Sequence, residues 1–375
     1  MRLIKRIGAI ICALAILMSF AGCHKKDEIA VTVGDVEFTS AYYMCALVMA
    51  DSEARNEVYE DLSDEEKTSD EVDYFSKKID GKKYKTWVKD TAIEGLKEIA
   101  AYKTLCKDNK VELEKDVKEG AENYADYYWT SYGYQSILEP NGVSANTYKA
   151  YMTDAYYSSA YFEHVYGKGG EKEIAAADVE SKLYENFEIV NMLEASFTDL
   201  SEEDIASLKT TFNKYMEDLK TGSRTFEEIY KEYNKIEDTE EEHNHEEEHN
   251  HEEETDADKE DEKELEPLDE YASIIGSEDT SYSSEQFETV KAMAIGEVKL
   301  VELEDNAGII LFVKKDIKAD PYYLDNLDVT VRHLIKGDEY DKDIEKFAKT
   351  LKLQENKYAT GQFKVEKIVY PEQAQ

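Results

Sequence analysis

Four of the seven histidines stand in one short stretch, "HNHEEEHNH", as His243, His245, His249 and His251. His-x-His spacing among carboxylates offers the imidazole and oxygen donors that zinc or nickel accepts. The surroundings argue for a blander role. Residues 237–266 hold 18 Asp/Glu and two Lys, a net charge of −16 over 30 residues. Such a block cannot bury enough apolar surface to fold alone and is expected to be a disordered acidic insert. A metal would have to order it, and no second layer of ligand-orienting residues is evident. The remaining histidines, His24, His164 and His333, have no partner at ligand spacing, and no hydrolase triad, P-loop or dinucleotide fingerprint is present.

The second group able to do chemistry is the tyrosines, of which there are 28. Tyr124, Tyr127, Tyr128 and Tyr132 fall near i, i+3, i+4, i+8, and Tyr148, Tyr151, Tyr157 and Tyr161 repeat the pattern downstream. Aromatic rings with a polar tip suit adaptable contact with an unfolded peptide, and Tyr127, Tyr128, Tyr132 and Tyr151 are the candidates. The competing reading makes the same residues helix-packing core.

Charge narrows the function classes. With 45 basic and 85 acidic residues the net charge is −40, which disfavours nucleic acid and direct adhesion to anionic lipid. The amino terminus reads as an export signal. Arg2, Lys5 and Arg6 precede the apolar "IGAIICALAILMSF", which is too short for a comfortable membrane span. Ala21 and Gly22 then lead into Cys23 and an abruptly polar stretch. This resembles a bacterial lipobox, with Phe20 in place of the usual Leu, and implies cleavage after residue 22 and lipidation of Cys23. An ordinary signal peptide or an uncleaved anchor remains the alternative. Of the later cysteines, Cys45 and Cys106 lie in apolar helical patterns. They read as buried free thiols, although export would permit a disulfide.

These groups need elements to position them. "IAVTVGDVEF" (29–38) alternates around Gly34-Asp35 as a β-hairpin, and Thr39 or Ser40 caps a nearly all-apolar helix. Residues 51–83 are polar, with broken helix. Long amphipathic helices follow at 84–109, about 114–134, and after Ser144. From Asp178 the order becomes strand, helix, helix, acidic insert, strand, helix, strand, strand, after a short capped helix. Helix then returns in two pieces, 324–337 and 341–353, and a strand is expected over 361–370.

"VTVGDVEFTSAYY" and "NGVSANTYKAYM" (141–152) resemble the opening hairpin and a helix start of PrsA/SurA-type extracytoplasmic foldases. "TFEEIYKEYN" (225–234) and "EQFETVKAMAIGEVKLVELEDNAGIILFVKKDI" (285–317) are similar to segments of the parvulin rotamase module inserted in that family. "LKLQENKYATGQFKVEKI" looks like its returning helix and strand. Parvulins carry one histidine in the first strand and one in the last. Here Asn191 and Ile309 or Ile310 stand there, and the "GGDLG" segment is absent. Phe287 and Met293 could still line an apolar groove, or be plain core.

The expectation is therefore an α+β, mostly helical chain. A signal peptide (1–22) and a lipidated linker (23–28) lead into a discontinuous helical chaperone domain (29–180 and 317–375). This domain is completed by N- and C-terminal strands. Into it is inserted a degenerate parvulin-like α/β domain (181–316) carrying the acidic insert 237–266. The implied partners are unfolded or nascent secreted proteins and, through the lipid, the membrane. Nucleic acid is not expected, and a homodimer is possible. Binding without chemistry needs no cofactor. An active prolyl isomerase, or a zinc-binding lipoprotein acting through the histidine repeats, is the alternative.

Overall fold

The computed structural model describes residues 27–67, 72–236, 267–278, 282–303 and 307–371. The signal peptide, Cys23 and the insert with His243, His245, His249 and His251 lie outside the described residues. The architecture is α+β and mostly helical. The chain divides into two compact units, residues 1–173 with 336–375 and residues 174–335, so the first is built from two separate stretches. No described helix is long and apolar enough to cross a membrane.

In the first unit β1 (Ile29–Val33) and β2 (Val36–Thr39) form the expected hairpin. Gly34 takes φ +60, a conformation that suits a residue without Cβ. Thr39 caps α1 (Ser40–Glu60) by accepting from the Tyr42 N–H. Its buried run, Ala41 to Val48, makes it the central core helix. α2 (Tyr84–Asn109) and α4 (Ala145–Tyr166) pack against it, α4 capped by Ser144 as its sequence implies, and α3 (Lys115–Ser131) packs on α4. Cys45 and Cys106 are buried free thiols. Burial raises the pKa of both thiols, that of Cys106 to about 11.

Two expectations fail here. α1 runs a further ten residues beyond Ala50, because Asp51 is fully buried with its charge satisfied and Ala54 and Val58 continue the apolar stripe. Residues 361–370 form no strand; only a short 3-10 turn, Val365–Lys367, lies there. The strand that returns to β1 is Leu353–Glu355, antiparallel through Val31↔Glu355 and Val33↔Leu353. With that edge taken, the following residues fold over the core, burying Val365.

The second unit begins with α5 (Ala176–Asn186) and the long central strand β3 (Phe187–Ser196). α6 (Glu202–Thr221) is capped by Ser201, and α7 (Phe226–Asn234) carries a full capping box between Thr225 and Glu228. Then come β4 (Ala272–Gly276), α8 (Ser284–Ala292), β5 (Val298–Glu302) and β6 (Gly308–Lys314). The sheet order is β4-β3-β6-β5, all antiparallel. α6 and α7 cover one face, where Leu193, Ile309 and Leu311 meet Phe212 and Ile229. α8 covers the other, where Val190, Ile310 and Phe312 meet Phe287 and Val290.

The two expected helices after residue 322 are one. α9 (Asp328–Ala348) passes through Gly337, starting in the second unit and ending in the first. A helical glycine costs about 1 kcal/mol. Just beyond it Tyr340 is buried, donates to the Ser158 carbonyl at 2.7 Å and meets Phe162 edge-on at 5.1 Å, and this outweighs that cost.

Candidate peptide-binding surface

α3 has an inner face of Ala121, Ala125 and Trp129. The two alanines let α4 approach closely, and Trp129 lies 5.7 Å from the buried ring of Tyr148 on that helix. The outer face carries the tyrosines. Tyr124, Tyr127 and Tyr132 are 59%, 53% and 62% exposed. Gly133, at φ +74, ends the helix in the left-handed conformation and turns the chain so that Tyr134 points back under the cluster.

The rings form a ladder from solvent to core. Tyr127 meets Tyr132 edge-on at 5.6 Å, Tyr132 stacks on Tyr128 at 4.7 Å, and Tyr128 meets Tyr134 at 6.2 Å. Tyr134 in turn stacks on Tyr148 at 5.5 Å. Exposed aromatics on a fixed aromatic base are pre-organised, so little conformational entropy is lost when they cover an apolar segment. Tyr151 does not belong to this surface. It is half-buried against Tyr42 at 5.4 Å, and burial pushes its hydroxyl well above the usual tyrosine range. The packing reading thus holds for Tyr151, while Tyr127 and Tyr132 remain exposed.

α3 also lends Lys118 and Glu122 to an open cleft of about 1030 Å³, shared with Lys103, Lys107, Lys149 and Asp154 among others. Asp154 is held by Lys103 at 2.7 Å and by the Tyr42 hydroxyl at 3.0 Å. The Thr153 hydroxyl at its wall is buried with no hydrogen-bond partner among the described residues. Cations and anions side by side suit the mixed polar content of an unfolded chain.

The sheet of the second unit separates the residues that the parvulin comparison groups together. Asn191 and Ile309 lie on the α6–α7 face, whereas Phe287 and Met293 lie on the α8 face. Asn191 is buried and donates to Asp269 at 3.1 Å; Asp269 also pairs with Lys315 at 2.6 Å. These bonds hold the Asp269 carboxyl below its usual range against its own burial. The residues of the first and last strands that share a cluster with Phe287 are Val190, Met192, Ile310 and Phe312. None carries a proton-transferring group. Phe287, Met293 and Ile310 are all buried in this apolar core. A strand alternates faces at every residue, so a shift of one in matching a weak motif exchanges one face for the other.

Among the described residues no group of His, Cys, Asp and Glu could hold a metal ion. No family model matches the chain, and no curated protein matches it. Several solved structures are similar to it, among them two at low identity. One is the foldase protein PrsA from Streptococcus pneumoniae str. Canada MDR_19A, at 11% identity over 68% of this chain and 79% of that one, with a TM-score of 0.35. The other is the foldase protein PrsA from Lactococcus lactis, at 12% identity over 88% and 96%, with a TM-score of 0.36.

Proposed function

We propose that the protein is an extracytoplasmic chaperone, anchored through a lipid on Cys23, that holds exposed apolar segments of newly exported proteins by transient contact and does no chemistry on them. The observation that carries this reading is the solvent-facing tyrosine surface of α3, fixed on its aromatic ladder. Soluble monomers seldom leave several large rings together in water unless something covers them. The net charge of −40 supports the reading from another side, since it keeps a protein that displays such a surface from associating with itself. Prolyl isomerisation is not part of the proposed activity, because Val190, Met192, Ile310 and Phe312 beside Phe287 carry no proton-transferring group.

The test is suppression of aggregation of a chemically denatured client diluted into buffer with the purified protein. Light scattering should fall with wild type. It should stay close to the no-chaperone level with Tyr124→Ser, Tyr127→Ser and Tyr132→Ser combined. Equal suppression by both proteins would remove this surface from the function.

A further inference from the structure

The stretch from Phe363 to Pro371 holds only the short 3-10 turn Val365–Lys367 and joins no sheet, yet it is held at named points along the first unit. The Asn141 side chain donates to the Val369 carbonyl at 2.8 Å and accepts from the Val369 N–H at 2.9 Å. One amide thus reads both main-chain groups of one residue, which is how an extended peptide is gripped whatever its side chain. One residue on, the Tyr370 hydroxyl donates to the buried Asp51 carboxylate at 2.7 Å. The Arg55 guanidinium lies over the Tyr370 ring at 4.3 Å and over Tyr74 at 4.7 Å. Upstream, Val365 is buried and Glu366 faces Lys85 at 3.4 Å. Along its main chain from Lys364 on, the Lys367 N–H bonds the Lys364 carbonyl and the Ile368 N–H bonds the Val365 carbonyl, and no bond of a sheet ladder is made. It can lift away without breaking a sheet.

We propose that residues 364–371 act as a built-in ligand in a peptide seat formed by Asp51, Arg55, Tyr74 and Asn141. An incoming segment that takes the same turn can take their place if it carries an aliphatic residue, an acidic residue next to it, and a tyrosine five positions after the aliphatic one. The proposal rests on the peptide-binding reading for its purpose and on this stretch alone for its geometry. Tethering gives the built-in ligand a high effective concentration, so the seat opens only to a peptide of matching chemistry.

The test titrates an amino-terminally fluorescein-labelled peptide, KVEKIVYP, into the full chain and follows anisotropy. Wild type should bind weakly. Tyr370→Phe keeps the ring on Arg55 and removes only the hydroxyl bond to a charged group, so it should bind the peptide about tenfold more tightly. Tyr370→Ala should bind it more tightly still. Adding Asn141→Ala to Tyr370→Ala should weaken binding again by about tenfold. Equal affinity for wild type and both Tyr370 variants would overturn the proposal, as would indifference to Asn141→Ala. A dimer of wild type by light scattering that dissociates in Tyr370→Ala would assign the seat to a second copy and overturn it too. Tryptophan fluorescence checks the fold of each variant. If client aggregation is still suppressed while the peptide result fails, only the seat is wrong; if suppression also fails, the chaperone reading falls with it.

Discussion

Removing the carboxylate of Asp51 should unlock the first unit. This side chain is fully buried and accepts from the Tyr84 hydroxyl at 2.9 Å, the Tyr370 hydroxyl at 2.7 Å and Arg55 Nε at 2.9 Å. In Asp51→Ala all three donors lose their acceptor. Breaking a buried charge pair by deleting one partner costs about 3–5 kcal/mol. The Arg55 side chain is 28% exposed and regains water, which favours the low end. Each stranded hydroxyl adds about 1 kcal/mol or more, so roughly 4–5 kcal/mol is expected in all. Both tryptophans, Trp87 and Trp129, lie in the first unit, so urea unfolding followed by tryptophan fluorescence reports on that unit alone. With a slope of about 2 kcal/mol per molar urea, the midpoint should fall by roughly 2 M. Asp51→Asn, which keeps the shape and one acceptor, should lose about half as much. A loss under about 1 kcal/mol for Asp51→Ala would refute the cluster as the lock.

Four further outcomes follow from the same structure. Burial raises the hydroxyl pKa of Tyr42, Tyr84, Tyr148, Tyr340 and Tyr370, and that of Tyr43 to about 12. Their stabilising effect is complete below the unfolded value near 10 and is lost as pH rises towards the folded values, at about 1.4 kcal/mol per pH unit for each tyrosine. Tyrosinate absorbance should therefore rise together with loss of fluorescence in a cooperative step above pH 10, and independent titration of all rings without unfolding would contradict this. Gly133→Ala should cost about 1 kcal/mol and weaken client binding, measured by urea unfolding and anisotropy, because alanine is strained at φ +74. The protein should leave the rate of proline-limited refolding of a test substrate unchanged; acceleration matching a competent parvulin would overturn the reading of Met192 and Ile310. Deleting residues 237–266 should leave aggregation suppression intact, and loss of suppression would give the insert a role this account denies it.

What the sequence discloses is what local chemistry decides. The Gly34 turn and the Thr39 and Ser144 caps are written in a few adjacent residues, and the elements they bound begin where expected. The surprises depend on partners far along the chain. Gly337 reads as a break until Tyr340 finds Ser158, and Asp51 reads as a helix end until Tyr84 and Tyr370 reach it. The stretch after residue 360 alternates like a strand, but strand formation needs a free edge, and Leu353–Glu355 already occupies β1. The candidate site was half legible. Helical spacing brings Tyr127, Tyr128 and Tyr132 together, but only packing divides them from Tyr151. The Asn141–Val369 clamp had no signal beyond an asparagine in a turn.

The most direct test of the central claim is the affinity of a permanently unfolded, fluorescently labelled polypeptide, measured by anisotropy against wild type and Tyr127→Ser/Tyr132→Ser. Truncating exposed anchor rings costs about 1–2 kcal/mol each, so affinity should fall by roughly 30-fold or more while the urea midpoint stays in place. Unchanged affinity, with the double variant folded, would contradict the account.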